Sequence, residues 1–354
     1  MDSLSQIALG AAVSIAVFRR RQPLWQSAAL GAVLGTLPDL DVLIQHGDPI
    51  SDMTLHRTES HSLFYLTLLS PLLAWFWLKT SRSGGSFRRA LLGVWLVLIT
   101  HPLLDTLTIY GTQLLLPFTD YPFGIGSVFV IDPLYTLLLF FGLIVTMLKK
   151  NLLWNQLGLV FSCGYLLFGI GAQQWVQQQV EQQLPAQQGK VLVSAAPFNT
   201  LLWRVLWLQP EQYSEAYVSL LDPKQQIQWQ HYPRQPELIR QWQQQAQVAR
   251  IAWFSHGFFQ LAEQPGQLVL TDLRLGLEPG YSFRFVLTQN DQGEVSNITQ
   301  LDRPPADSRS LRWLWQRVQG DTQLTLAQYL ASEAGDKALA GDQREAVQGK
   351  AADE

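Results

Sequence analysis

The sequence predicts an α-helical polytopic membrane bundle of about six spans, followed by a soluble α+β domain. Three observations carry this expectation. The long apolar runs are confined to residues 1–172, the Lys and Arg residues between them are clustered, and composition turns abruptly Gln-rich at Gln173. Averages of 47% hydrophobic and 15% charged residues conceal that division. At 354 residues the chain is long enough for two domains of ordinary size.

Apolar runs fall at about 4–18, 24–44, 63–78, 90–110, 128–148 and 152–172. A spanning helix needs roughly 20 residues and at least about 17. The last three runs meet that length. The first and third are shorter, and Thr36, Pro38 and Asp39 interrupt the second, so these three read as tilted, bundle-buried or re-entrant. Start signals are weak at the N-terminus: there is no basic segment before the first run and no small-residue cleavage site, so insertion is expected to rest on retained helices.

Basic residues orient the spans. Through residue 172 they are Arg19, Arg20, Arg21, Arg57, Lys79, Arg82, Arg88, Arg89, Lys149 and Lys150. With six spans, all but Arg57 fall in the connections after spans one, three and five. Positive connections stay cytoplasmic. The expected location is a bacterial inner membrane, multi-pass, with the C-terminal domain periplasmic and the lipid bilayer as the principal partner.

Residues 173–189 form a Gln-rich polar linker that continues the last helix. Across 190–331 an extracytoplasmic α+β domain is expected. Its strands at 190–195, 216–221, 267–273 and 281–287 show β-branched or aromatic alternation between turn signals, and 237–252 reads as one helix. An antiparallel sheet follows. The stretch 332–354, rich in Ala, Gly, Asp, Glu and Lys, reads as a disordered tail. A net charge of −3 without a clustered basic face excludes a nucleic-acid footprint. The single cysteine, Cys163, forms no intrachain disulfide and is silent on redox compartment.

Polar residues in the apolar half are concentrated in a few motifs. Asp39 and Asp41 stand in LPDLD, His56 and His61 in HRTESHS, and His101 and Asp105 in HPLLD. Ionisable groups at membrane depth cost roughly 2.5–3.5 kcal/mol each, which makes them functional candidates by default. His101 and Asp105 are four apart on a helix and share a face. Asp39 and Asp41, two apart beside a proline, both turn inward only if the backbone there is non-helical. Under the six-span topology these groups meet at one depth, on the outer side. Imidazoles with carboxylates suit a divalent metal, Zn first, with Mn or Fe as alternatives. The six residues can hold one ion or two. Glu59 is the candidate general base. Asp132, before Pro133, reads instead as a helix start, and His46, His231 and His256 as exposed or structural. An ion pathway is the competing explanation of the same cluster. The loop with Tyr110, Phe118, Tyr121 and Phe123 reads equally as a lid, a lipid-facing entry or a tight turn.

Together, Met1-Asp2-Ser3-Leu4, the LPDLD, HRTESHS and HPLLD motifs and Tyr110-Gly111 resemble the YdjM-like family over about residues 1–150. The resemblance implies a LexA-regulated inner-membrane protein with a metal-dependent hydrolase site. Many members carry a histidine at the position of Gln6, where it is thought to join the metal; Gln6 can hydrogen-bond a ligand instead. The leading expectation is a hydrolase of a phospholipid or other membrane-associated ester. A metal-handling transporter and a non-catalytic envelope-stress protein with a structural metal are the alternatives.

Overall fold

Helices dominate the first half. They are α1 (Ser3–Phe18), α2 (Leu24–Thr36), α3 (Pro49–Leu55), α4 (Leu63–Thr80), α5 (Phe87–Thr106), α6 (Pro133–Lys149) and α7 (Leu153–Gln183). Two 3-10 turns, Pro38–Leu43 and Glu59–His61, lie between them. This computed structural model describes residues 1–18, 22–81, 86–185, 189–222, 227–264, 267–278, 280–290, 295–303, 308–322, 324–330 and 332. Arg19, Arg20, Arg21, Arg82 and, apart from Ser332, the expected tail at 332–354 lie outside the described residues.

Among the described residues, three helices are long and apolar enough to cross a membrane: α4, α5 and α7. The expectation of six spans is therefore corrected. Local chemistry shortens the others. Pro38 opens a 3-10 turn, so the run at 24–44 yields a helix of only 13 residues. The run at 128–148 becomes helical only at Pro133, because Asp132 accepts from the backbone N–H groups of Leu134 and Tyr135 as an N-cap, leaving 17 residues. Helix α1 has 16. The run at 63–78 gains length instead. Ser62 caps it, its side chain accepting from the Tyr65 backbone N–H, and the helix reaches 18 residues.

The bundle is knitted by small residues. A Cβ on Gly10 of α1 would strike the carbonyl of Gly31 on α2, and one on Gly35 would sit 2.7 Å from the Gln6 carbonyl. Close backbone approach of this kind is how apolar helices associate where burial from water is no driving force. Outward faces are apolar, with Leu68, Leu72, Trp75 and Phe76 exposed on α4 and Leu137, Phe141 and Ile144 on α6.

Beyond α7 the described residues form two four-stranded antiparallel sheets. One has the order β1 (Lys190–Ala195), β2 (Leu202–Leu208), β3 (Gln212–Ser219), β4 (Gln230–Pro233). In the other, β10 (Val295–Gln300), β9 (Arg284–Gln289), β6 (Gln267–Asp272) and β5 (Phe259–Gln264) are neighbours in that order. A short hairpin joins β7 (Gly276–Leu277) to β8 (Gly280–Tyr281). The α+β expectation agrees with this, but the single helix at 237–252 does not. It is two, α8 (Pro236–Trp242) and α9 (Ala246–Phe254), with Gln245 extended between them. The break lets Leu238 and Trp242 of one, and Val248, Ile251 and Phe254 of the other, reach the same core. A further helix, α10 (Ser308–Val318), packs on β3.

Helix α3 crosses the boundary drawn from composition. Its Ile50 and Met53, with Ile109, are buried in one cluster with Trp242, Phe254, Leu270 and Phe285 of the C-terminal module. The buried Asp272–Arg274 ion pair, 2.7 Å long, reinforces the joint, because Nη1 of Arg274 also donates to the Ile109 carbonyl. The loop after α5 is thereby clamped from both sides.

Candidate metal centre

Four side chains converge where the C-terminal ends of α2 and α5 meet the start of α4. They are Asp39, His61, His101 and Asp105, and one ligand atom from each lies within 4.8 Å of all the others. Helix α5 places His101 and Asp105 one turn apart on one face, with Nε2 of His101 3.3 Å from Oδ2 of Asp105. The 3-10 turn at Pro38–Leu43 brings Oδ1 of Asp39 to 3.3 Å from Nε2 of His101 and 3.4 Å from Nε2 of His61. The two Nε2 atoms are 3.1 Å apart, and His61 Nε2 is 3.3 Å from Asp105 Oδ2.

Hydrogen bonds behind the cluster assign its protons. Nδ1 of His101 is 2.6 Å from the Gly35 carbonyl, which only accepts, so Nδ1 carries the hydrogen and Nε2 turns a lone pair inward. Behind His61, Ser60 Oγ donates to Asp41 Oδ2 at 2.6 Å and accepts from His61 Nδ1 at 2.9 Å. Once His61 gives up its second proton, its Nε2 likewise turns a lone pair inward. Two imidazole lone pairs and two carboxylate oxygens therefore face one another, and Oδ2 of Asp105 is buried with no hydrogen-bond partner. Such an array repels itself unless a cation or a proton sits within it. In a tetrahedron of N and O ligands at 2.0–2.1 Å from Zn, neighbouring ligands stand about 3.3–3.4 Å apart. Five of the six separations here are 3.1–3.4 Å. The residues fit a divalent metal.

Burial alone would raise the Asp39 carboxyl, but the neighbouring His101 and His61 imidazoles outweigh it and hold the group below the usual range. The Asp41 carboxyl is lowered in the same way, by His56, His61 and Ser60 against burial. His61 moves the other way. Burial would lower it, yet Asp105, Asp39 and Asp41 raise it to about 9.

Of the sequence candidates, Asp41 and His56 stand outside the group of four. Residues two apart in a 3-10 turn diverge by about 120°. While Asp39 enters the cluster, Asp41 turns to Nδ1 of His56 at 2.7 Å, to Ser60 and to the Arg57 backbone N–H at 3.0 Å. These two residues buttress His61 and are not among the four ligand positions. Glu59 is exposed and makes none of the hydrogen bonds or ion pairs that bind the others together. Gln6 does not contribute a ligand atom; its amide donates to Asp105 Oδ1 at 3.2 Å and to the His101 carbonyl at 3.3 Å. The Met1 amino group also bonds Asp105 Oδ1, which leaves Oδ2 facing the centre. Ser60, the Gly35 carbonyl and Arg57 were missed from sequence. Only Arg57 carried a signal, as the one basic residue outside the three clusters.

Fold and site together define a membrane protein with a buried histidine–aspartate cluster, at one end of its helices, that could hold a metal ion. Residues 1–176 match the family described as YdjM inner membrane protein, and this helical half of the chain belongs to that family. No curated protein and no solved structure matches the chain.

Proposed function

We propose that this chain is a metal-dependent hydrolase of the inner membrane, acting on a phospholipid or another membrane-associated ester. The observation that carries the reading is the convergence of two imidazole nitrogens and two carboxylate oxygens at ligand spacing, with the other nitrogen of each imidazole hydrogen-bonded behind the cluster. Asp39, His61, His101 and Asp105 would hold the ion, with Zn favoured over Mn or Fe by the tetrahedral separations. A divalent ion there supplies Lewis acidity and lowers the pKa of a water toward about 7.

The chain's own groups divide the remaining work. Asp39 is 22% exposed while His61, His101 and Asp105 are fully buried, so substrate approaches on the Asp39 side. His56, 20% exposed, gives its Nδ1–H to Asp41 and keeps Nε2 free to accept a proton from water. That geometry favours His56 over Glu59 as the general base.

The reading extends to topology. Site and C-terminal module are taken to face the periplasm, with the helical half crossing the bilayer more than once. Support comes from charge. Lys79, Arg88, Arg89, Lys149 and Lys150 lie at the helix ends opposite the site, where Lys79 and Lys149 stack on Trp75 and Trp154 as interfacial anchors do.

The test is the metal content of purified wild-type, His61→Ala and His101→Ala protein, paired with hydrolysis of phospholipids in detergent. Loss of metal and of turnover together is the expected result. Metal content unchanged in both variants would sink the reading, and metal uptake into sealed vesicles without hydrolysis would replace it with transport.

A further inference from the structure

Arg57 has no task in the chemistry above. It is the one Lys or Arg in residues 1–172 outside the three basic clusters, and its side chain is only 5% exposed, beside the metal ligands. A guanidinium carries five N–H donors. Here Nη2 reaches Asp105 Oδ1 at 3.4 Å and Nη1 reaches Thr108 Oγ1 at 3.5 Å, both at the limit of hydrogen bonding. Among the described residues, Nε is buried with no hydrogen-bond partner. Burying a cation this poorly satisfied is unfavourable unless an anion completes it.

The backbone holds Arg57 in place against resistance. Its φ is +68°, a left-handed conformation uncommon for a side chain of this size. The Arg57 N–H donating to Asp41 and the Gln113 N–H donating to the Arg57 carbonyl, both at 3.0 Å, keep it there. Tyr110 lies under the guanidinium, 4.7 Å from its central carbon, and sets the plane. The edge made by Nε and Nη2 is thus the under-occupied one, and a planar two-donor edge matches two oxygens of a tetrahedral oxyanion. A neutral ester offers a single carbonyl oxygen there.

We propose that Arg57 binds the non-bridging oxygens of a phosphoryl group presented to the metal centre, so that the substrate is a phosphoester and not a neutral carboxylic ester. This rests on the hydrolase reading for the identity of the neighbouring site.

The experiment titrates zinc-loaded full-length protein with inorganic phosphate in detergent. A second arm titrates it in phosphatidylcholine nanodiscs with and without phosphatidic acid, which separates free phosphate from a lipid headgroup as the source. Wild type, Arg57→Asn (Asn tolerates the left-handed backbone) and Arg57→Lys are compared, with bound zinc measured in each. Arg57→Asn should keep its zinc and lose about 10- to 100-fold in phosphoryl affinity, and Arg57→Lys should recover only part of it. Affinity within about twofold of wild type in Arg57→Asn, or no wild-type binding in either arm, overturns the proposal. If Arg57→Asn loses zinc, Arg57→Lys decides by the same criterion. Zinc loss in both variants makes Arg57 a support of the cluster and also overturns it. Zinc absent from wild type overturns the hydrolase reading instead, while Arg57-dependent phosphoryl binding in that protein would still uphold this inference.

Discussion

Zinc affinity at the cluster should rise about tenfold per pH unit up to about pH 9 and level off above it. In the metal-free protein His61 holds the proton that separates the four acceptor atoms, and an incoming ion has to displace it. Burial works against that proton, but the surrounding carboxylates prevail and raise the imidazole from 6.5 to about 9. The difference corresponds to roughly 3 kcal/mol at about 1.4 kcal/mol per pH unit. At pH 7 the affinity should therefore stand about 100-fold below its plateau. Stability of the chelated protein runs the opposite way. A histidine with a raised folded pKa contributes stability that is fully present below 6.5 and lost as pH rises through about 9, so the melting temperature should fall across that window. Chelator competition from about pH 6 to about pH 9.5, with melting of chelated samples alongside, reads both trends. Zinc affinity that does not change between about pH 7 and pH 9 would refute the proton assignment.

Asp41→Asn should lower zinc affinity by about 10- to 100-fold by releasing His61 from its buttress, whereas Glu59→Gln, altering an exposed carboxylate, should leave bound zinc unchanged; metal analysis of both proteins checks this. His56→Gln should retain zinc and lose about 10²- to 10⁴-fold in phospholipid turnover, as expected for removal of a general base. Asp272→Asn leaves the Arg274 guanidinium buried without its carboxylate and should destabilise the protein by about 3–5 kcal/mol, read by thermal or denaturant unfolding.

Motif order brought out the clustered residues because these His and Asp side chains sit in short local patterns. His101 and Asp105 share a helix face from their spacing alone, and the structure brings their Nε2 and Oδ2 atoms to 3.3 Å. The roles of Asp41 and His56 were not legible in the same way. Both are good ligand types in the right segments, and only the 120° step of the 3-10 turn turns Asp41 away from the cluster. Gln6 illustrates the same limit. The family resemblance marks its position as near the site, but only the packed structure shows its amide on the back of Asp105.

In the C-terminal module, β1 was readable because it borders turn signals. Strand β2 was not, since it lies between β1 and β3, is buried almost throughout and has lost the alternation that marks a half-exposed strand. Span number failed for a related reason. Hydropathy registers an apolar run whether or not it is helical, and Pro38 and the Asp132–Pro133 cap cut two runs short of a full crossing.

What the sequence by itself determined is therefore the division into an apolar helical half and a polar α+β half, and the ligand types at their motif spacing. Both follow from composition and local periodicity, which need no tertiary contacts. Only the tertiary structure decided which four donors meet, which way each imidazole turns its lone pair, and that α3 belongs to the core of the C-terminal module. Those outcomes depend on contacts between segments tens to hundreds of residues apart, and their geometry is set by the packing that brings the segments together.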